Sequence, residues 1–229
     1  MWEFDPALGI PPDADTTSCS LAILARHGNG LTSPGDVALL RSFWRDGGGP
    51  FRTWSDKGGQ WRSRDRDDAV VNGNIFTALR EMGSPATPAE IAALSRLLRA
   101  SIGGTRYYCS PQTIGYSVCR GGVPLSELPS KLAQRPKSRA GLLPTAQWLT
   151  TIHRWDETAV SIILDAQSPD GSWREEGWFT AVAAIPIVWG SSAISTALCV
   201  EALASALALD LEEFKTQKVN GEGKAVFCF

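Results

Sequence analysis

Only two histidines occur among the 229 residues, His27 and His153, and neither sits beside a suitable cysteine and aspartate. The five cysteines (Cys19, Cys109, Cys119, Cys199 and Cys228) form no Cys-x-x-Cys pair, so no zinc site is expected. Their odd number, with no signal-peptide pattern, predicts free thiols in a reducing, cytoplasmic setting. Cys228 is second from the end rather than fourth, which excludes a prenylation signal. No apolar run approaches the ~20 residues that span a bilayer, leaving a soluble chain or one in peripheral membrane contact. Basic residues number 22 against 24 acidic, a net charge of −2. Nothing in that balance favours nucleic acid or an anionic membrane surface. Strands leave no trace either, because no stretch alternates apolar and polar residues. The length suits one domain, expected to run over 1–229 with 215–229 as a polar tail.

Two features are present in strength. Nine tryptophans occur, several beside glycine, proline or charged residues, and an indole face attracts cations. The second is Pro11-Pro12-Asp13-Ala14-Asp15-Thr16-Thr17. The diproline bars helix before it, and Asp and Thr are capping residues, so a helix is predicted from Thr17 to Arg26. A carboxylate at the positive end of a helix dipole favours ionisation and becomes a stronger acid. A second carboxylate nearby pushes the other way. Two readings are open here: a surface cap, or an acid held loaded and ready to release its proton.

Further along, Ser33-Pro34-Gly35-Asp36 opens a helix over Val37 to Trp44. Phe51, Arg52, Trp54, Lys57, Trp61, Arg62 and Arg64 form a loop, either a solvated basic surface or a pocket rim for an anionic head group. Asp67 to Met82 is predicted helical, with Asn74 on the stripe of Val70, Val71, Ile75, Ala78 and Leu79. An inward amide needs a partner, either a carboxyl group or a backbone carbonyl. Thr87-Pro88-Ala89-Glu90 fits a capping box for a helix to about Ser101. Short helices are predicted over Pro111 to Cys119, carrying Tyr116, and over Leu125 to Gln134. A long one is predicted over Ala146 to Gln167, then a turn at Ser168 to Gly171. Gly177 to Gly190 is expected to be irregular and apolar, before a last helix over Ser191 to Leu209. Helix-and-loop units of ~40 residues predict stacked helical hairpins and an all-α fold.

Several of these segments carry a family likeness. Gln167-Ser168-Pro169-Asp170-Gly171-Ser172-Trp173 matches the Gln-x-x-x-Gly-x-Trp repeat of triterpene cyclases and related α/α-toroid proteins. Asp13-Ala14-Asp15-Thr16-Thr17 resembles the Asp-x-Asp-Asp motif of class II terpene cyclases. It is closest to the Asp-x-Asp-Thr-Thr variant of drimenyl-diphosphate-synthase-like enzymes. Val70 to Ile75 resembles the helix that supplies the acid's partner, with Asn74 at the matching position. Tyr107-Tyr108 and the helix from Gly190 to Leu203 look like later segments of the same β-domain.

The resemblance implies an α/α toroid and protonation-initiated cyclisation of a linear isoprenoid. The substrate would be a prenyl diphosphate, such as farnesyl or geranylgeranyl diphosphate, or a prenylated aromatic. Asp15 would donate the proton, Asp13 and Thr16 would shape its acidity, and Asn74 would hold its carboxyl. Trp54, Trp61, Tyr108, Trp178 and Trp189 would wall the cation, while Trp173 is assigned to structure. Lys57, Arg62 and Arg64 are the candidates for a diphosphate clamp. Mg²⁺ bridging diphosphate oxygens is compatible with the pattern, although no motif marks it. Thr16 replaces the motif's third acid. Arg66-Asp67-Asp68-Ala69-Val70-Val71 does not complete the Asp-Asp-x-x-Asp metal motif of class I synthases. A complete barrel would want about 12 helices and ~250 residues, so an incomplete β-domain is expected, the rest missing, truncated or supplied by a second copy or a companion chain. A non-catalytic prenyl-lipid-binding or partner subunit is the alternative. A protein prenyltransferase β-subunit would need a zinc site that neither histidine supplies.

Overall fold

Polar caps set where the helices begin. A computed structural model of the chain describes residues 12–28, 30–55, 67–101, 105–137, 140–181 and 187–219. Helix α1 (Ala14–His27) starts at Asp13, whose Oδ1 accepts the Thr16 N–H at 2.6 Å. In α2 (Pro34–Arg41), Asp36 reaches back to accept the Ser33 N–H at 2.8 Å. Asp68 caps α3 (Ala69–Glu81) by accepting from the Val70 and Val71 amides. The expected box of Thr87 and Glu90 opens α4 (Pro88–Ala100). There follow α5 (Gln112–Arg120), a 3-10 turn (Leu125–Glu127), α6 (Ser130–Ala133), α7 (Leu142–Ile152) and α8 (Glu157–Asp165). Strands β1 (Phe179–Ala181) and β2 (Ile187–Trp189) precede α9 (Ser192–Val219). The class is all-α.

Four expectations are corrected. The long helix over Ala146 to Gln167 is two, because His153 turns left-handed (φ 45°, ψ 51°). Asp156 then caps α8, accepting the Ala159 N–H at 2.9 Å. Leu125 to Gln134 splits around Pro129, which has no N–H to continue a helix. Gly177 to Gly190 is not irregular throughout. It contains an antiparallel pair with Phe179 opposite Trp189 and Thr180 opposite Val188. Three-residue strands are too short for alternation to register. The last helix continues to Val219, past Lys215, where a polar tail was expected.

Alternate helices pack in succession: α1 on α3, α3 on α5, α5 on α7 and α7 on α9. The others flank this row, α2 against α1 and α3, α4 against α3, and α8 against α7. All of α7 is buried. Its amino end is held by Glu176, whose carboxylate accepts the Leu142 and Leu143 amides at 2.9 Å each. Gly141 precedes them at φ 103°, and a Cβ there would lie 2.9 Å from Glu176 Oε2. Helices α3 and α5 lie in close contact at Gly73, where a Cβ would meet the Ser117 carbonyl carbon at 2.7 Å.

The glutamine–tryptophan motif ties α8 to α9. Trp173, 2% exposed, donates its indole N–H to the Ile163 carbonyl at 2.7 Å. Its backbone N–H donates to Thr196 Oγ1, and Gln167 closes the turn through the Gly171 carbonyl. Two apolar clusters result, one from α1 to α5 with Phe51 and Phe76, the other around α7 to α9 with Trp148 and Trp173. Among the described residues no helix is long and apolar enough to cross a membrane.

Candidate active site

Asp15 lies in the first turn of α1, one residue beyond the first helical position. Its carboxyl is bound from two directions. Asn74 Nδ2, on α3, donates to Oδ1 at 2.7 Å. The Tyr108 hydroxyl donates to Oδ2 at 2.5 Å. The inward amide of α3 therefore pairs with a carboxyl group rather than a backbone carbonyl. The nearby Asn72 takes the backbone role instead, exchanging bonds with Phe51 N–H and C=O at 2.8 and 3.2 Å.

Tyr108 is delivered to the acid by tertiary pairing. Asp68 Oδ2 accepts from Thr105 Oγ1 and from the Arg106 N–H, pinning the loop to the start of α3. On the other side, Thr180 N–H donates to Tyr107 C=O at 2.7 Å, and Cys109 N–H to Trp178 C=O at 3.1 Å. Tyr108 thus forms a β-bridge with Phe179. The rings continue the cluster: Tyr108 meets Trp178 edge-on at 5.6 Å and Phe179 at 5.9 Å. Tyr107 stacks on Phe179 and meets Trp54 edge-on at 6.4 Å. The backbone of Trp54 pairs with that of Asp13.

Burial pushes the Asp15 carboxyl up from 3.8 to about 6. The bonds from Tyr108 and Asn74 work against that rise, and the charges of Asp13 and Asp68 add to it. The expectation that the helix end makes Asp15 a stronger acid is corrected, since loss of water outweighs the stabilising donors. Asp15 nonetheless keeps partial exposure. Cys19 lies one turn further on, at the surface.

Asp13 is buried and serves as the helix cap, and burial raises its carboxyl as well. Thr16 is exposed and bonds Asp13, so it touches the acid's neighbour rather than Asp15. Trp178 and Tyr108 are brought to the acid, and Tyr108 carries a role the sequence did not suggest, as donor to the carboxyl. Trp189 is 58% exposed on β2. Lys57, Trp61, Arg62 and Arg64 lie outside the described residues. Among the described residues no three His, Cys, Asp or Glu side chains gather as a metal site. A scan against known protein families matches none, and a search of curated proteins finds no match to this sequence.

Proposed function

We propose that this chain is a class II terpene cyclase, with Asp15 as the proton donor to a linear isoprenoid. The carrying observation is the carboxyl of Asp15, held between Asn74 Nδ2 at 2.7 Å and Tyr108 Oη at 2.5 Å. Protonating an isolated alkene needs an acid that is loaded at working pH and whose conjugate base is stabilised once the proton leaves. Burial serves the first need. With its midpoint at about 6, about a tenth of Asp15 carboxyls hold a proton at pH 7. An unperturbed Asp would hold one in fewer than about one molecule in a thousand. The two donors serve the second need, because each strengthens as negative charge returns to the carboxylate.

The new carbocation requires faces without nucleophiles. Tyr108, Trp178, Phe179, Tyr107 and Trp54 form a connected set of rings beside the acid. Each ring is worth up to ~2 kcal/mol to a cation sheltered from water. The row of alternate helices α1, α3, α5, α7 and α9, flanked by α2, α4 and α8, supports stacked helical hairpins of the α/α-toroid kind. Substrate enters as a prenyl diphosphate or a prenylated aromatic.

Incubation of the purified protein with geranyl, farnesyl and geranylgeranyl diphosphates tests the reading. Cyclised product that retains its diphosphate is expected. Cleavage of the diphosphate as the first step would overturn it, and binding without conversion would point to a prenyl-lipid carrier.

A further inference from the structure

Both donors on Asp15 are referred back to one helix. Asn74 is carried by α3 itself. Tyr108 is not, yet the loop that bears it is fastened to the cap of α3. Asp68 is 3% exposed, and its two carboxyl oxygens divide their work. Oδ1 caps the helix, accepting the Val70 N–H at 2.8 Å and the Val71 N–H at 3.3 Å. Oδ2 accepts instead from Thr105 Oγ1 at 2.8 Å and from the Arg106 N–H at 3.2 Å. The tie runs one link further, because Thr105 Oγ1 accepts the Tyr107 N–H at 3.3 Å. The next residue is Tyr108, whose hydroxyl reaches Asp15 Oδ2 at 2.5 Å.

A helix cap needs one oxygen, and asparagine or serine supplies it as well as aspartate does. The second oxygen is what capping leaves unexplained. The hairpin holds the same loop from its other side, through the Tyr107 C=O and the Cys109 N–H. Asp68 ties that loop to the helix that carries Asn74, so the two donors share one frame. Resting on the cyclase reading above, we propose that Asp68 is a positioning residue for proton donation: through Thr105 and the Arg106 amide it sets where the Tyr108 hydroxyl stands against Asp15. Two effects of Asp68 then oppose each other at the acid. Beyond burial, the largest cause, the Tyr108 bond pulls the Asp15 carboxyl down, and the Asp68 charge pushes it up by less. The other titratable groups around Asp15 are Asp13 at the cap of α1 and Cys19 one turn along it.

Opposite signs make the role separable by titration, without turnover. The Asp15 carboxyl carbon is followed against pH by ¹³C NMR, its signal identified by its loss in Asp15→Asn. Asp68→Asn leaves an oxygen to cap α3 but removes the charge and the acceptor of the Arg106 amide. In the otherwise unaltered chain the Asp15 midpoint should rise by about half a pH unit, because losing the hydroxyl outweighs losing the charge. In a Tyr108→Phe background no hydroxyl is left to misplace, and the same change should lower the midpoint. Thr105→Val keeps the charge, so it should raise the midpoint in the first background and leave it unmoved in the second; it decides alone if Asp68→Asn does not fold. A midpoint that falls or stays in the first background, or moves the same way in both, would overturn the positioning role. In turnover the rate falls as pH rises through the Asp15 midpoint. Asp68→Asn should therefore move that limb to higher pH and lower the acidic plateau about tenfold. Cyclisation with an unmoved limb refutes the role of Asp68 and leaves the cyclase reading standing. An unaltered chain that cyclises nothing refutes the cyclase reading, and the carbon titration then decides for Asp68.

Discussion

Replacing Asp15 with Asn should reshape the pH dependence of stability, and the size of the effect follows from the site. The folded chain holds the Asp15 proton up to about pH 6, whereas the unfolded chain releases it near 3.8. Between those values the native state binds one proton more than the unfolded state, so stability falls as pH rises. The interval of about 2 pH units corresponds to roughly 3 kcal/mol, fully lost above the folded value. The amide that replaces the carboxyl has no such proton to lose. Its carbonyl oxygen would accept from Asn74, and its NH₂ would donate to the Tyr108 oxygen, so the bonding pattern survives. Asp13, whose raised carboxyl adds its own slope, is common to both proteins. Urea unfolding at intervals between about pH 4 and pH 8 gives the comparison. The variant should gain on the parent by roughly 3 kcal/mol across that range. A stability difference that stays constant with pH would refute the buried, proton-holding Asp15.

Other expectations concern the frame that holds the acid. Gly73→Ala inserts a methyl where only 2.7 Å separates a Cβ from the Ser117 backbone, and should cost about 1–3 kcal/mol. An unchanged melting temperature would contradict that close approach. Trp173→Phe leaves the buried Ile163 carbonyl without its donor at a cost of about 1–3 kcal/mol, measurable by urea unfolding. Asp68→Ala removes the cap of α3 and the two bonds to the 105–106 loop. It should lower stability by about 2 kcal/mol and, in hydrogen exchange, loosen the Tyr107–Cys109 segment that carries the phenol.

Helix starts were legible to within a few residues where a cap is local. Even so, α1 begins at Ala14 rather than Thr17, and α7, which has no side-chain cap, at Leu142 rather than Ala146. Asp13, Ser33, Asp68 and Thr87 each act within a few residues of their own position. The break at His153 was hidden by apolar spacing that runs on from α7 into α8, although Asp156 was the available signal. The hairpin at Phe179–Trp189 was hidden because its strands are too short for a period to appear. At the site, the Asp15 and Asn74 pair joins residues 59 apart. No local pattern encodes that distance, and it was legible only through resemblance to a known arrangement. Tyr108 could be flagged as an aromatic but not as a donor, because its position depends on pairing with the hairpin. Glu176 gave no sequence signal at all. It acts on a helix far away in the chain, and an isolated glutamate looks like any surface carboxylate.

Turnover by Asp15→Asn tests the acid most directly. The parent and the variant would be incubated with farnesyl and geranylgeranyl diphosphates, with folding monitored by circular dichroism. The fold should be unchanged and cyclised product reduced by about a thousandfold, the scale of losing a positioned general acid. Cyclised product formed by the variant at the parental rate would contradict Asp15 as the proton donor.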